Sequence, residues 1–383
     1  MNTIKLGTIC DIVAGGTPSR SKPEYWQRGT IPWIKIGNIK GKYIKNADEF
    51  ITNEGLENSS AKMLSKGTIL YSIFATLGEV GILDFDACTN QAIAGLTIKE
   101  PSLISENYLY YYLKSKKNYI NSIGRGAAQN NINLSILRNF DIPLPEIKKQ
   151  KEIINILDNI ASIITLRNLQ IQKLDELIKV RFVEMFGNLR NNPKKWPICS
   201  FKEITEIITD GEHITPQRSS HGIYLLSARN ILDHKIQLND VDYINQEEYE
   251  RIAKRIIPQA GDVLITCSGT VGRCCTVPEG LKFQMVRSAA LLRFKKTILP
   301  VYAEYMISSD DLQEQINSLK TASSQANLFQ GKISKLKSFV PSLDLQTKFV
   351  KFVSQVNKAK SVIQGATDKT QLLFNSLMQE YFG

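Results

Sequence analysis

The chain has 383 residues, 43% of them hydrophobic and 22% charged, enough for two or three domains at roughly 100–200 residues each. It contains no uninterrupted apolar run of the ~18 residues that a membrane span requires, and its first residues lack the basic and then apolar segments of a secretion signal, so a cytoplasmic protein without membrane contact is expected. The net charge of +11 is shared, with 24 basic against 18 acidic residues up to Arg190 and 24 against 19 beyond it; with no basic tail in either half, the excess fits a polyanion-binding surface on folded units better than a disordered arm.

In chain order, the first part mixes short β-branched and apolar runs with Gly and Pro punctuation. Ile31–Ile36, Thr68–Phe74, Val80–Leu83 and Ala92–Ile98 read as strands. Leu109, Tyr112, Leu113, Tyr119, Ile120 and Ile123 then mark a helix. From Lys148 to Phe186 apolar residues recur every three or four positions with no Gly or Pro inside, and Pro145 stands just ahead, where proline belongs at a helix entrance. About 39 residues of helix would be ~58 Å long, well past the usual ~11–12 residues. A helix of that length needs a partner helix.

The second half repeats the first. Gly67-Thr-Ile-Leu-Tyr-Ser aligns with Gly261-Asp-Val-Leu-Ile-Thr, and Gln129-Asn130-Asn131-Ile132 with Gln325-Ala326-Asn327-Leu328. Pro145 to Gln150 aligns with Pro341 to Gln346, and Glu184-Met185-Phe186-Gly187 with Glu380-Tyr381-Phe382-Gly383. Nearer the start, Gly16-Thr17-Pro18 answers Ile214-Thr215-Pro216, and Gly37-Asn38-Ile39 answers Arg229-Asn230-Ile231. Order is kept throughout, which marks an internal duplication. Ile223–Leu226, Val263–Cys267, Val271–Val277 and Ala289–Phe294 are the second set of strands, Tyr305, Met306, Leu312, Ile316 and Leu319 the second short helix, and Thr347–Phe382 the second long one, interrupted only by Gly365.

The expected fold class is therefore α+β: mixed modules over residues 1–146 and 188–345, with long helices over 147–187 and 346–383. If the apolar stripes are buried on each other, the second helix returns antiparallel and the C-terminus lies beside the first module, giving a pseudo-two-fold dumbbell with an antiparallel two-helix coiled coil. The stripe residues are Ile153, Leu157, Ile160, Ile164, Ile171, Leu174 and Ile178 in one helix and Val353, Val356, Ile363, Leu373 and Leu377 in the other. The competing arrangement packs each helix only on the module it leaves.

A Thr-Pro near the start of each module, a Gly-x-Val/Ile-Leu strand, a Gln-x-Asn-Ile/Leu loop and a Pro-x₄-Gln entry to a long helix, twice over, resemble the specificity subunit of type I restriction–modification systems. The resemblance covers essentially the whole chain. It implies a non-catalytic subunit whose two target recognition domains each read one half of a split, asymmetric double-stranded DNA sequence. It further implies that the helices set the gap and dock two adenine-methylating modification subunits, and that motor-nuclease restriction subunits join the assembly. No cofactor is implied. A specificity module of a differently organised restriction enzyme, or a repeat-built scaffold for protein partners whose charge is incidental, are the alternatives.

Candidate DNA contacts follow from residue chemistry. In the first module Lys22, Lys35, Lys40, Lys42 and Lys45, near Trp33 and Tyr43, suit phosphates, and Arg125, Gln129, Asn130 and Asn131 form a polar loop suited to base edges. In the second module the candidates are Gln217, Arg218, His221, Arg229, Asn230, Arg273, Arg287, Gln325 and Asn327. Because the Gln-x-Asn loop recurs, it reads equally well as a structural brace: repeated positions suit scaffold, non-repeated ones specificity. Enzymatic readings fare poorly. No GxxxxGK[ST] phosphate loop and no Asn/Asp-Pro-Pro-aromatic motif is present, Asn191-Asn192-Pro193-Lys194 lacking the second proline and the aromatic. Asp141 with Glu146 and Lys148 only faintly matches a magnesium nuclease, and the second unit has no counterpart. Adjacent Cys274-Cys275 and the scattered histidines offer no zinc spacing.

Overall fold

The structure, a computed structural model, describes residues 3–124, 131–319 and 327–383. It divides into two units, residues 1–168 with 365–383, and residues 169–364.

In the first unit, a five-stranded sheet orders Cys10–Ala14, Ile93–Ile98, Ile69–Ser72, Val80–Leu83 and Tyr43–Ile44. The central strands Ile69–Ser72 and Val80–Leu83 are buried along their length, as befits apolar runs without alternation. A three-stranded sheet sets Ile31–Ile34 between Glu49–Ile51 and Cys88–Thr89, the last pairing parallel. Thr3–Lys5 pairs with Asp141–Pro143, joining the start of the module to its end just ahead of the first long helix, Ile147–Phe186. The helix expected around Leu109 to Ile123 is two helices, Glu106–Ser115 and Lys117–Gly124, separated at Lys116.

The second unit repeats this plan. Thr205–Asp210, Ala289–Phe294, Val263–Thr266 and Cys274–Thr276 form one four-stranded sheet, and Arg218–Ser219, Asp242–Ile244, Ile223–Leu226 and Phe283–Met285 another, with Ile223–Leu226 and Phe283–Met285 parallel. Ile198–Ser200 and Lys337–Phe339 close the module as their counterparts do. The strand expected over Val271–Val277 begins only at Cys274, because Gly272, at φ +97°, belongs to the turn before it. The second long helix runs Leu343–Phe382, one turn earlier than its periodicity suggests. Ser342 supplies that turn, its Oγ accepting from Leu345 N at 3.4 Å. Gly365 lies inside the helix without ending it.

The entry to each long helix is built around a buried glutamine. Gln150 donates from Nε2 to Leu103 O and Pro145 O and accepts from Ser105 N at 3.0 Å. Gln346 does the same with Thr297 O, Pro341 O and Leu299 N. Both side chains are 0% exposed, and three bonds leave only one of four hydrogen-bonding positions open. This is why Pro-x₄-Gln recurs.

The long helices pair antiparallel within each unit. In the first, Arg167 Nη1 donates to Ala366 O at 2.8 Å and Thr370 Oγ1 at 2.6 Å, while Ile153 and Leu157 share a core with Phe374, Met378 and Phe382. In the second, Asp175 pairs with Lys360 and Phe182 packs edge-on against Phe349. Phe382 closes the first module, its ring 5.2 Å from Tyr108 and 6.3 Å from Tyr112, with Lys116 Nζ on its carbonyl at 2.6 Å. Phe186 occupies the matching place in the second module, 4.9 Å from Tyr302. Each long helix thus starts on the module it leaves and ends on the other one, so packing on its own module alone is excluded.

Most stripe residues lie where expected: Ile153, Leu157, Ile178, Val353 and Val356 are buried, and Ile160, Ile164, Leu174 and Leu377 pack against these cores. Ile171 and Ile363 are partly buried. Leu373 corrects the reading, being 51% exposed, while its neighbour Phe374 is buried against Tyr111. The aromatic ring, with the larger apolar area, takes the inward position. Phe374→Ala is expected to cost about 3–5 kcal/mol, against about 0.5 kcal/mol or less for Leu373→Ala at the surface; urea unfolding of the two variants measures the difference.

Candidate nucleic-acid interface

The candidate residues fall into a few local groups. In the first unit, Arg20 follows Thr17-Pro18; its guanidinium sits 3.5 Å from the Trp26 ring centroid and bonds Glu49 at 2.5 Å. Lys35 bonds the other Glu49 oxygen. The Lys35 hydrogen bond, with Arg20 beside it, holds the Glu49 carboxyl below its usual range against the opposing effect of burial. Lys22 donates to Tyr25 Oη at 2.9 Å, and Lys40 and Lys45 are exposed. Tyr43, 42% exposed, donates to Asn107 at 2.9 Å.

In the second unit, Arg218 follows Thr215-Pro216 and bonds Asp242 at 3.0 Å, the same arrangement as Arg20 with Glu49. Arg229 reaches the other Asp242 oxygen at 3.0 Å. Gln217 N donates to Glu248 at 3.0 Å, and His221 Nδ1 lies 3.0 Å from Ser220 Oγ. This group gathers at the edge of the sheet headed by Arg218–Ser219. Arg273, partly buried, sits on the turn after Val263–Thr266, where its N–H donates to Thr266 Oγ1 at 3.0 Å.

Two candidates lie apart from that edge, in a cleft of 380 Å³ lined by Asp210, His213, Cys267, Ser268, Arg287, Asn327, Leu328 and Phe329. Arg287 is exposed, and Phe329, 54% exposed, offers an apolar face. In the first unit Asn131 bridges Phe74, which is 43% exposed. The ends of the two Gln-x-Asn loops are pinned alike, Ile132 N to Ile73 O at 3.0 Å and Leu328 N to Cys267 O at 2.8 Å. Arg125, Gln129, Asn130 and Gln325 lie outside the described residues.

Two candidates are corrected. Asn230 is 1% exposed, its Oδ1 accepting from Ser227 N and its Nδ2 donating to Gln237 O and Asp240 O. Asn38 holds the same turn in the first unit, accepting from Lys35 N at 2.9 Å. A side chain so engaged and buried has no bond to offer a base. Lys42 is clasped by Asp158 of the first long helix at 2.6 and 2.8 Å, with its side chain 17% exposed, so it ties module to helix and a phosphate would have to displace a carboxylate. The sequence reading missed Arg20, Asp210 and Phe329; the repeat of Thr-Pro-x-Arg at Arg20 and Arg218 was the available signal for the first.

Among the described residues, no group of three or more His, Cys, Asp or Glu side chains can hold a metal ion, and no helix is long and apolar enough to cross a membrane. Two copies of one α+β module, each with an Arg–carboxylate pair after Thr-Pro but different neighbours around it, define an internally duplicated two-module protein. The chain belongs to the type I restriction modification DNA specificity domain family, whose model matches residues 1–176 and again 193–371. It is similar to the type I restriction enzyme MjaIX specificity subunit of Methanocaldococcus jannaschii, 29% identical over 246 residues, which span 59% of this chain and 55% of that relative. The Escherichia coli EcoprrI specificity subunit is 23% identical over 90% of this chain and 84% of its own length. The fold matches the S subunit crystal structure from M. genitalium at a TM-score of 0.53 and 14% identity, over 100% of this chain and 96% of that one.

The corrected and retained candidates separate in a stability measurement. Asn230→Ala is expected to lower the unfolding free energy by about 1–3 kcal/mol, through backbone groups left unpaired, while Arg287→Ala at the cleft stays within about 0.5 kcal/mol of the parent, both read by denaturant unfolding.

Proposed function

We propose that this chain is the DNA-reading subunit of a type I restriction–modification complex, its two modules each reading one half of a gapped, asymmetric duplex sequence. The observation that carries this reading is the duplicated family match together with the divergence of surface residues on a shared frame. Trp26 and Lys35 flank the Arg–Glu pair of the first module, whereas Arg229 shares the carboxylate of the Arg–Asp pair of the second, with Gln217 preceding Arg218 in the chain. A common frame with different readers suits unequal half-sites. The excess of basic residues in both halves supplies the phosphate attraction that nucleic-acid affinity rests on. Lys22, Lys40 and Arg273 are the proposed phosphate donors, Arg20, Lys35, Arg218 and Arg229 would share a phosphate with Glu49 or Asp242, and Tyr43, Asn131, Gln217, His221, Arg287 and Asn327 are the proposed closer contacts.

On this reading residues 1–146 and 188–345 are the target recognition domains, and the long helices fix the gap between half-sites. Each helix is 40 residues, or about 60 Å at 1.5 Å per residue, and DNA repeats about every 34 Å. The helices also leave large apolar side chains in solvent, among them Leu166, Val180, Val362 and Leu372 at 61–73% exposure. These are the surfaces on which two adenine-methylating modification subunits would dock, with motor-nuclease subunits joining them in the cytoplasm. Catalysis then belongs to the partners, and this chain contributes position and sequence.

A map of methylated adenines in the native host, with and without this chain, tests the reading: loss of one gapped, asymmetric motif supports it, and an unchanged map in a host with active modification contradicts it. Insertion of four residues between Ile171 and Leu177 lengthens one helix by about a turn, and the expected outcome is an altered gap between unchanged half-sites. An unchanged gap at full modification would remove the spacing role.

A further inference from the structure

Among the described residues, Asp210 is the one acidic residue lining the cleft that also holds Arg287 and Asn327. Its Oδ1 is buried and accepts no hydrogen bond among the described residues, and its Oδ2 lies 3.8 Å from His213 Nε2, beyond bonding distance. Other carboxylates of this unit are anchored: Asp242 by Arg218 and Arg229, Asp262 by Arg293, Glu304 by Thr276 N. An unanchored, part-buried carboxylate gives up solvation with no structural return. Burial accordingly raises its pKa, with His213 and Arg255 opposing.

Its position is fixed by the backbone. Asp210 ends the strand Thr205–Asp210 opposite Ala290, and the next residue, Gly211, lies so close to the chain before Arg287 that a Cβ would meet Val286 O at 2.4 Å. Arg287 N then donates to Glu212 O at 3.0 Å. The backbones carrying Asp210 and Arg287 are thus locked to each other.

The repeat shows that the pair is not scaffold. Ala14, opposite Ala94, stands where Asp210 stands opposite Ala290. Ile73 N bonds Ala92 O as Cys267 N bonds Ser288 O, which puts Gln91 in the place of Arg287. The backbone frame recurs, and the two side chains do not.

We infer, on the DNA-reading function proposed above, that Asp210 and Arg287 together read one C·G base pair in the half-site of the second module. Asp210, its side chain 17% exposed with Oδ1 closed off, accepts at Oδ2 from the cytosine N4 amino group, and Arg287 donates to guanine N7 and O6. A carboxylate repels the phosphate backbone, so it is useful at a DNA surface only where the ligand brings a donor. In the major groove those donors are the amino groups of cytosine and adenine. Arg287 decides between them, because the partner of cytosine presents two acceptors to a guanidinium, whereas the partner of adenine presents one acceptor and a methyl group.

The test uses the full chain with its host modification subunits, mapping methylated adenines for the parent, Asp210→Ala and Asp210→Asn, with competition binding of the assembled complex to duplexes altered one base pair at a time. The expected result is a C·G pair in one half-site whose preference falls roughly 10-fold to 100-fold in Asp210→Ala and moves toward adenine in Asp210→Asn, with the other half-site and the gap unchanged. A gapped parental motif with no C·G pair in either half, or a base preference indifferent to both variants, overturns the inference while leaving the broader function standing. If Asp210→Ala directs no methylation, the binding of Asp210→Asn decides: full parental C·G preference overturns the inference, and a shift toward adenine upholds it. A parental chain that directs no gapped methylation in a modifying host overturns the broader function.

Discussion

Two phenylalanines, Phe186 and Phe382, hold the architecture together. Each closes a long helix, each is fully buried, and each packs on a tyrosine at the same place in the module it reaches, Tyr302 for one and Tyr108 for the other. Burying such a ring stabilises by about 1.5–3 kcal/mol, with aromatic pairing adding about 0.5–1.5 kcal/mol. The consequence is topological. A helix that begins on one module, at a buried Gln150 or Gln346, and ends in the core of the other makes each module depend on both helices. On the function proposed above, spacing is a property of the helices and sequence choice a property of the modules, so either can vary without rebuilding the other.

That division explains which residues are doubled. The glutamine braces, the Asn38 and Asn230 turns, the pinned Ile132 and Leu328, and the Arg20–Glu49 and Arg218–Asp242 pairs occur in both modules and satisfy backbone or carboxylate groups that the fold itself creates. Ala14 against Asp210, Gln91 against Arg287, and Lys42 against His234 differ, and of these Asp210 and Arg287 line the cleft of the second unit. In the first unit Lys42 is clasped to Asp158, whereas His234 turns to Glu304 at 2.6 Å and stacks on Tyr305. The duplicated frame therefore tolerates different solutions at the same place.

Much of this was legible from the residues. The duplication, the strands Val80–Leu83, Ile223–Leu226 and Ala289–Phe294, and both long helices follow from periodicity, because uninterrupted apolar stripes and Gly or Pro breaks report backbone geometry directly. What was not legible depended on choices between neighbours. Leu373 and Phe374 both satisfy a helical stripe, and only packing decides that the ring goes inward. Asn230 reads as polar and available until its turn is folded and its amide is consumed by backbone. Lys42 reads as a free cation until the long helix brings Asp158 to it. Asp210 gave no signal, since an unpartnered oxygen is a property of the folded cleft alone.

The reciprocal closure of the modules is tested most directly by hydrogen–deuterium exchange on the full chain carrying Phe382→Ala. Faster exchange in Glu106–Ser115, which carries Tyr108 and Tyr112, with Pro300–Ile307 unchanged, is the result this account requires. Loosening of Pro300–Ile307 instead, with Glu106–Ser115 as protected as in the parent, would mean that the second long helix ends on the module it leaves, and would contradict it.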